Sequence, residues 1–293
     1  MRFNPRARVD QGEFEDRSGA GGTGGGMRFP LPIAGTHLTV GSVVLILVVF
    51  ALNQFLGGHG GGTDTTTCRT GADANVSDRC AVALFTTSVQ DFWARTFPVQ
   101  TGRAYEPIRT VTFSGTTDSG CGTATAATGP FYCPSDRKVY LDSTFFDQML
   151  HGELGAEGGP FAIGYVIAHE YGHHIEDQLG LLSRIRTQEG PTSDSVKAEL
   201  MADCLAGMWA QDAKGTVDES GTPIIAALTA DDVARAIDAA RAVGDDRIQQ
   251  RSSGRVDPDQ WTHGSAAQRQ HWFNVGLTEG TLTACDTFRT GAL

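Results

Sequence analysis

Residues 167–180 read IAHEYGHHIEDQLG and contain His169, Glu170 and His173 in an HExxH arrangement. Residues four apart on a helix share one face, so both imidazoles can bind one metal ion while Glu170 is offset toward its open side. Zinc suits this site, because it accepts three protein ligands and a water in the fourth position. The apolar run before the motif predicts a buried helix, in which a cation would offset the cost of burying polar groups. Two satisfied core histidines are the alternative interpretation.

A third ligand has to come from outside this motif. The metzincin arrangement needs a glycine and then a histidine or aspartate further along the same helix, but those positions hold Glu176 and Leu179. Asp177 lies one turn beyond the histidines, and a straight helix would carry it past the metal. Asp177 is therefore a weak candidate for the third ligand.

The stretch KAELMADCLAGMWA, residues 197–210, predicts a second helix that carries a better candidate. Glu199 and Asp203 are four residues apart on it and lie on one face. We expect Glu199 to bind the metal, and Asp203 to accept a hydrogen bond from the far nitrogen of a ligand histidine, His169. The alternative is that both carboxylates belong to an ordinary solvated face.

Three side chains are candidates for stabilising an oxyanion: His263, Tyr171 and His174. We favour His263 as a catalytic residue, with a surface histidine or helix cap as its alternative. His174 directly follows the motif and so points away from the metal, which predicts a structural hydrogen bond. The stretch from Lys138 to Asp142 is interpreted either as an edge strand that an extended substrate joins or as an internal strand.

The remaining pattern predicts an α+β fold, mostly helical with a small sheet, over residues 68–293. Apolar spacing predicts a helix at 78–97 with Pro98 as its stop. Short strands are predicted at 108–113 and 138–141. Long helices are predicted at 160–181, 193–213, 230–246 and 265–278.

The N-terminal part of the chain has a different composition. Residues 1–37 are rich in Gly and Arg, which predicts a disordered segment, and residues 57–67 read as a flexible linker. Between them, LTVGSVVLILVVFALNQFL at 38–56 carries no charge and is long enough to cross a bilayer as one helix. Arginines precede this run and none follows until Arg69, so the positive-inside rule places the N-terminus in the cytoplasm and the catalytic domain outside. A cleaved signal peptide and a buried core helix are the alternatives.

Composition narrows the choice of partners and compartments. A formal net charge of -11 argues against nucleic acid as a partner, because two acidic surfaces repel each other. The six cysteines form no CxxC, which argues against cysteine-based zinc or redox chemistry. They can pair as Cys68 with Cys80, Cys121 with Cys133 and Cys204 with Cys285, and six free buried thiols in a reducing compartment are the alternative.

Four motifs in order resemble the bacterial putative neutral zinc metallopeptidases, the YpfJ-like family: HEYGHH, ELMADCLAG, CPSDRKVYLD and THGSAAQRQHWF. The resemblance covers nearly the whole chain, including EFEDRSG near the N-terminus and a single membrane span. It implies a zincin-like, gluzincin-type domain with one zinc ion on His169, His173 and Glu199 and with Glu170 as the catalytic acid and base.

The predicted activity is hydrolysis of a peptide bond in a peptide or protein substrate. Zinc would lower the pKa of a bound water, and Glu170 would take the proton from that water and pass it to the leaving amine. Two alternatives stay open: a catalytically inactive scaffold that binds envelope partners, and hydrolysis of a small non-peptide amide.

Overall fold

The structure, a computed structural model, describes residues 1–18, 67–146, 152 and 154–293. Its helices are α1 (Gly71–Ala74), α2 (Asp78–Thr101), α3 (Pro160–Gln178), α4 (Asp194–Asp212), α5 (Ala230–Ala242), α6 (Asp245–Ser253) and α7 (Ala266–Glu279). Its strands are β1 (Arg2–Phe3), β2 (Phe14–Asp16), β3 (Arg109–Phe113), β4 (Thr116–Ser119), β5 (Gly122–Thr125), β6 (Phe131–Cys133), β7 (Lys138–Asp142) and β8 (Ile225–Ala227). This mixture of helices with a small sheet is the predicted α+β class.

Helix boundaries follow local capping chemistry, with two departures from the sequence-based prediction. Helix α2 runs through Pro98 to Thr101 and ends at Gly102, whose φ of 69° is the left-handed conformation that glycine tolerates. Proline therefore does not stop this helix. The helix expected over 230–246 ends at Ala242, and α6 starts after Gly244, where a Cβ would lie 2.4 Å from the backbone nitrogen of Ala266.

The main sheet has four strands in the order β2-β3-β7-β6. Strands β2, β3 and β7 run parallel, and β6 runs antiparallel to β7. Strand β7 is thus internal, and the interpretation of Lys138–Asp142 as an edge strand is wrong because β6 covers that side. The free edge on this side of the sheet belongs to Phe131–Cys133.

Helices α3 and α4 pack closely because Gly172 lies between them. A Cβ on Gly172 would stand 2.8 Å from the Cα of Ala202. Helices α4 and α7 also meet at glycines: a Cβ on Gly207 would stand 2.1 Å from the carbonyl oxygen of Phe273, and one on Gly276 1.8 Å from that of Cys204. Helix α4 is therefore held between α3 and α7 at backbone contact distance.

Residues 1–18 belong to the folded domain, so the prediction that they are disordered is wrong. Strand β2 pairs with β3, β1 pairs with β8, and Phe3 is buried edge-on against Phe85 of α2. Asp16 forms an ion pair with Arg79. Residues 1–37 as a whole are rich in Gly and Arg, but residues 1–18 also contain a few apolar side chains that are buried against residues distant in sequence, which composition alone does not indicate.

The predicted transmembrane helix at 38–56 and nearly all of the predicted linker at 57–67 lie outside the described residues. Among the helices that the structure does describe, none combines the length and apolar character that a membrane crossing requires. The six cysteines form three disulfides, Cys68–Cys80, Cys121–Cys133 and Cys204–Cys285, in agreement with the suggested pairs.

Candidate metal centre

Two adjacent helices bring three potential metal ligands together. His169 and His173 on α3 and Glu199 on α4 offer nitrogen and oxygen atoms that all lie within 4.8 Å of one another. The Nε2 atom of His169 is 3.2 Å from Oε2 of Glu199, and the Nε2 atom of His173 is 3.6 Å from Oε1. The three side chains thus point at one small volume.

The two separations between histidine and glutamate atoms, 3.2 and 3.6 Å, fit a zinc ion. Bonds of about 2.0–2.2 Å in a tetrahedral shell place the ligand atoms roughly 3.4 Å apart. The donors are also of the right chemical type, since neutral imidazole and carboxylate are common zinc ligands. The nearly buried Glu199 also has a cationic side chain nearby, since Nη2 of Arg269 lies 3.9 Å from its Oε2. The residues present therefore fit the metal that the motif predicts.

The other ring nitrogen of His169 is held by Asp203. Its Nδ1 lies 3.0 Å from Oδ1 of Asp203, the contact expected from the sequence. Asp203 is fully buried and also accepts hydrogen bonds from Arg269 Nε at 2.8 Å and from the Tyr165 hydroxyl at 2.6 Å. The arrangement fixes both the ring plane and the tautomer of His169.

His173 has its own carboxylate partner. Its Nδ1 is 2.9 Å from Oε2 of Glu176, one turn further along α3, and Glu176 is fully buried. Each histidine therefore presents Nε2 to the ligand cluster and Nδ1 to a buried carboxylate.

Glu170 lies next to the edge strand of the sheet. The backbone of Tyr132 in β6 lies near its carboxylate and acts to lower its pKa. Burial raises the pKa of Glu170, and the nearby histidines oppose that shift. A carboxylate with a raised pKa is suited to accept and release a proton near neutral pH.

His263 lies in the loop before α7 and interacts electrostatically with the cluster. The charges of His263 and Glu199 shift each other's pKa. The Nδ1 atom of His263 is 3.3 Å from Asp245 Oδ1, and Asp245 also accepts the backbone N–H of His263 at 2.7 Å. Burial acts to lower the pKa of His263, but the two carboxylates outweigh it and raise the pKa.

Two other candidates point elsewhere. His174 contacts the Tyr132 hydroxyl at 3.1 Å and the carbonyl oxygen of Glu106 at 2.7 Å, which is the structural role expected for it. The Tyr171 hydroxyl lies in the core, 3.2 Å from Thr110 Oγ1. Neither side chain joins the ligand cluster. Of the three candidates for stabilising an oxyanion, His263 is therefore the one that remains.

The charged groups of the cluster shift one another's pKa values. Burial acts to lower the pKa of His169, but hydrogen bonds to Asp203 and Glu199 raise it to about 10. Burial acts to raise the pKa of Glu199, and the charges of His263 and His173 hold it below its ordinary range. The carboxylates of Asp203 and Glu199 therefore create a negative electrostatic potential, which favours a cation between the ligands.

Sequence reasoning missed four residues that the structure brings to the site: Tyr165, Glu176, Asp245 and Arg269. One signal was available for Arg269, since it stands one turn before the apolar pair Trp272 and Phe273 on a helix that packs into the core. Glu176 fills the position where the metzincin motif has glycine, which gives no indication of its role. Asp245 had no local signal, because its partner lies in a loop beyond a whole helix.

A family model described as "Putative neutral zinc metallopeptidase" matches residues 1–288. The chain belongs to this family. Among its relatives, the Mycobacterium tuberculosis protein Rv2575 is 47% identical, with 79% of this chain and 78% of that protein covered. The Escherichia coli K12 protein YpfJ is 36% identical over 98% of this chain and 99% of its own length. No solved structure matches the chain.

Membership in the putative neutral zinc metallopeptidases agrees with the resemblance drawn from the four motifs. The chain is a zinc metallopeptidase by family, and zinc is its cofactor. A peptidase family implies a peptide or protein as substrate.

Proposed function

We propose that the chain hydrolyses peptide bonds, with zinc held by His169, His173 and Glu199 in a gluzincin-type site and with Glu170 as the proton-transferring residue. One observation carries the proposal. Two imidazoles and one carboxylate converge, and within the described part of the chain the cluster includes no fourth side chain of a ligand type. A structural zinc site would be closed by such a fourth ligand.

The metal and the protein contribute separately to the chemistry. Bound zinc lowers the pKa of water to about 7 and polarises a carbonyl. Glu170 lies one residue from His169 and next to β6, and it accepts the proton of the attacking water and returns it to the leaving amine. Its burial favours the protonated form midway through this transfer.

His263 is suited to stabilise negative charge on the substrate oxygen. Asp245 contacts its Nδ1, so Nε2 is left to donate toward the cluster when the ring is charged. The raised pKa of His263 favours that charged form. A donor of this kind supports an oxyanion only if it is held in place beforehand, which Asp245 and the neighbouring Thr262 hydroxyl, 2.8 Å from Nδ1, provide.

Strand β6 is the expected docking strand for the substrate. It forms the sheet edge on this side, and the backbone of Tyr132 lies near Glu170. An extended peptide lying along this edge would place its backbone beside the catalytic carboxylate. The proposed substrate is therefore an extended segment of a peptide or protein.

The proposal is tested by the Glu170→Gln variant. We expect it to bind zinc with unchanged affinity and to lose peptide cleavage by about 10²- to 10⁴-fold, the usual contribution of a general base. Metal content and cleavage of a peptide library are measured on the same preparations. Glu279→Gln, at an exposed position on α7, is the matched control and should keep full activity. Full activity of Glu170→Gln would exclude the assigned role.

An inactive scaffold is the alternative function. It predicts that the wild-type chain binds zinc but cleaves no member of a peptide library, with or without a chelator. The proposed peptidase predicts cleavage that the chelator stops. Cleavage of small amides without any cleavage of peptides would assign the site to the third, non-peptide alternative.

A further inference from the structure

The two ligand histidines are supported by carboxylates in unequal surroundings. Asp203, behind His169, receives two hydrogen bonds from Arg269 and one from Tyr165, so its charge is balanced by a cation. Glu176, behind His173, is equally buried. Among the described residues its Oε1 atom has no hydrogen-bond partner, and its Oε2 atom contacts only His173.

A buried carboxylate without a cation is costly, so the fold should retain one only where a charge compensates it. Burial raises the pKa of Glu176, and the imidazoles of His173 and His169 oppose that shift. Only His173 contacts the carboxylate among the described residues, so a cation bound by the cluster would balance its charge through that imidazole.

We propose that Glu176 is a positioning residue for the metal: it orients His173 and supplies negative charge to the cation through the imidazole. This inference rests on the proposed metal site and not on the peptidase activity. Glu176 and Asp203 thus have different tasks, since the charge of Asp203 is neutralised locally by Arg269 and that of Glu176 is not.

The test compares zinc affinity, by chelator competition, for Glu176→Gln, Glu176→Asp and the control Asp177→Asn. Asp177 is the next carboxylate on α3, but it accepts a hydrogen bond from the Tyr132 hydroxyl at 2.8 Å and lies outside the cluster. We expect Glu176→Gln to weaken zinc binding by about 10- to 100-fold, as for other groups behind a metal ligand. Glu176→Asp should recover part of the loss because it keeps the charge, and Asp177→Asn should bind zinc like the wild type.

A second readout separates positioning from folding. The absorption spectrum of the cobalt-substituted protein reports ligand geometry, and we expect it to change in Glu176→Gln and not in Asp177→Asn. Zinc affinity and cobalt spectrum both equal to those of the wild type in Glu176→Gln would overturn the proposal. Neither measurement uses a peptide, so a failure of the proposed peptidase activity would be seen separately.

A second inference follows independently from the packing of residues 1–18. Three register pairs join β2 to β3, with Phe14 opposite Thr110, Glu15 opposite Val111 and Asp16 opposite Thr112. Asp16 also pairs with Arg79, and the backbone N–H of Arg8 donates to Asp218 at 2.8 Å. These contacts reach α2, β3 and the region before β8, so they require both parts of the chain in one compartment.

We infer that residues 1–18 and the metallopeptidase domain lie on the same side of any membrane that the chain contacts. A single crossing within residues 19–66 would place the two parts on opposite sides and separate β2 from β3. The expected arrangement, with a cytoplasmic N-terminus and an external domain, is incompatible with this inference. The three disulfides favour an oxidising compartment, and we place both parts there.

Cysteine labelling in intact cells tests the inference. All six natural cysteines form disulfides, so an added cysteine gives a unique free thiol. Arg6→Cys reports on the N-terminal segment, and Val99→Cys, at a position that is 84% exposed on α2, reports on the domain. We expect a membrane-impermeant maleimide to label both in intact cells. Labelling of Val99→Cys in intact cells with labelling of Arg6→Cys only after permeabilisation would overturn the inference.

Discussion

The buried charge of Asp203 is tolerated because it has specific partners. Arg269 and Asp203 form a two-point ion pair, with the Tyr165 hydroxyl completing the shell of Asp203. Breaking such a buried pair leaves an uncompensated charge, which is strongly destabilising. The site therefore contains paired buried charges, and its proposed chemistry depends on the few polar side chains that belong neither to this pair nor to the candidate metal ligands.

His263 is one of those groups, and its replacement should affect turnover and not metal binding. We expect His263→Phe to lower the rate of peptide cleavage by about 10²- to 10³-fold, the usual effect of removing one oxyanion donor. Zinc affinity should change little, because His263 is not among the converging ligands. Steady-state kinetics and chelator competition check the two parts. A large loss of zinc with unchanged turnover in the zinc-loaded variant would contradict the assignment.

Glu13 in the N-terminal segment should make stability depend on pH. Burial, reinforced by Asp10, Glu219 and Asp91, raises its pKa from 4.5 to about 8. The unfolded chain therefore loses this proton at lower pH than the folded one, and stability falls as pH rises from about 4.5 to about 8. Glu13→Gln should raise the melting temperature more at pH 9 than at pH 5. An equal change at both values, as expected of the exposed control Glu279→Gln, would exclude this explanation.

Helix packing determines whether the ligands can meet. His169 and His173 lie on α3 and Glu199 lies on α4, so the distance between these two helices sets the distance between ligands. Gly172 belongs to the HExxH segment but contributes only its lack of a side chain. The motif thus encodes both the ligands and the close approach of the helix that completes the site.

Gly172→Ala should therefore weaken the metal site by separating two helices. The added methyl would press on the backbone of Ala202, and overpacking of this kind costs about 1–3 kcal/mol. We expect both lower thermal stability and weaker zinc binding. Gly71→Ala is the control, because its methyl would press on the backbone of Asn4 and leave the contact between α3 and α4 unchanged. Wild-type zinc affinity in Gly172→Ala would contradict the argument.

The elements that the sequence predicted are those with local signals. Helices α3 and α4 and the candidate ligands on them were predicted because each helix carries its apolar spacing within one segment and α3 also carries the HExxH motif. Strands β1, β2 and β8 were missed because each has only two or three residues and a partner distant in sequence, and β6 was missed because it has only three residues. Arg269 and Glu176 were missed as functional residues because their importance depends on burial, which no local pattern reported.

The disulfides differ in the length of chain that they enclose. Cys204–Cys285 joins residues 81 apart and ties the C-terminal region to α4, whereas Cys121–Cys133 joins residues 12 apart and ties the hairpin of β4 and β5 to β6. Because a longer loop loses more entropy on closure, the first bond should contribute more to stability. Its position next to Asp203 also places it behind the metal site.

Removing each disulfide separately tests this comparison. The double variant Cys204→Ala with Cys285→Ala should lose roughly 4.5 kcal/mol of stability, and Cys121→Ala with Cys133→Ala about 3 kcal/mol, on the loop-entropy scale. Denaturant unfolding of the full chain measures both. A larger loss for the shorter loop would show that local packing, and not chain entropy, dominates.

The pairing of β1 with β8 has a consequence for biosynthesis. A ribosome releases Arg2 and Phe3 long before their partners Ala227 and Ile225, so the two halves of this ribbon meet only after the metal-binding helices have emerged. Long-range pairings of this kind slow folding. In a nascent chain the helices that carry the candidate zinc ligands are therefore expected to form first, and the pairing of β1 with β8 last. The chain is expected to depend on protection from aggregation between these two steps.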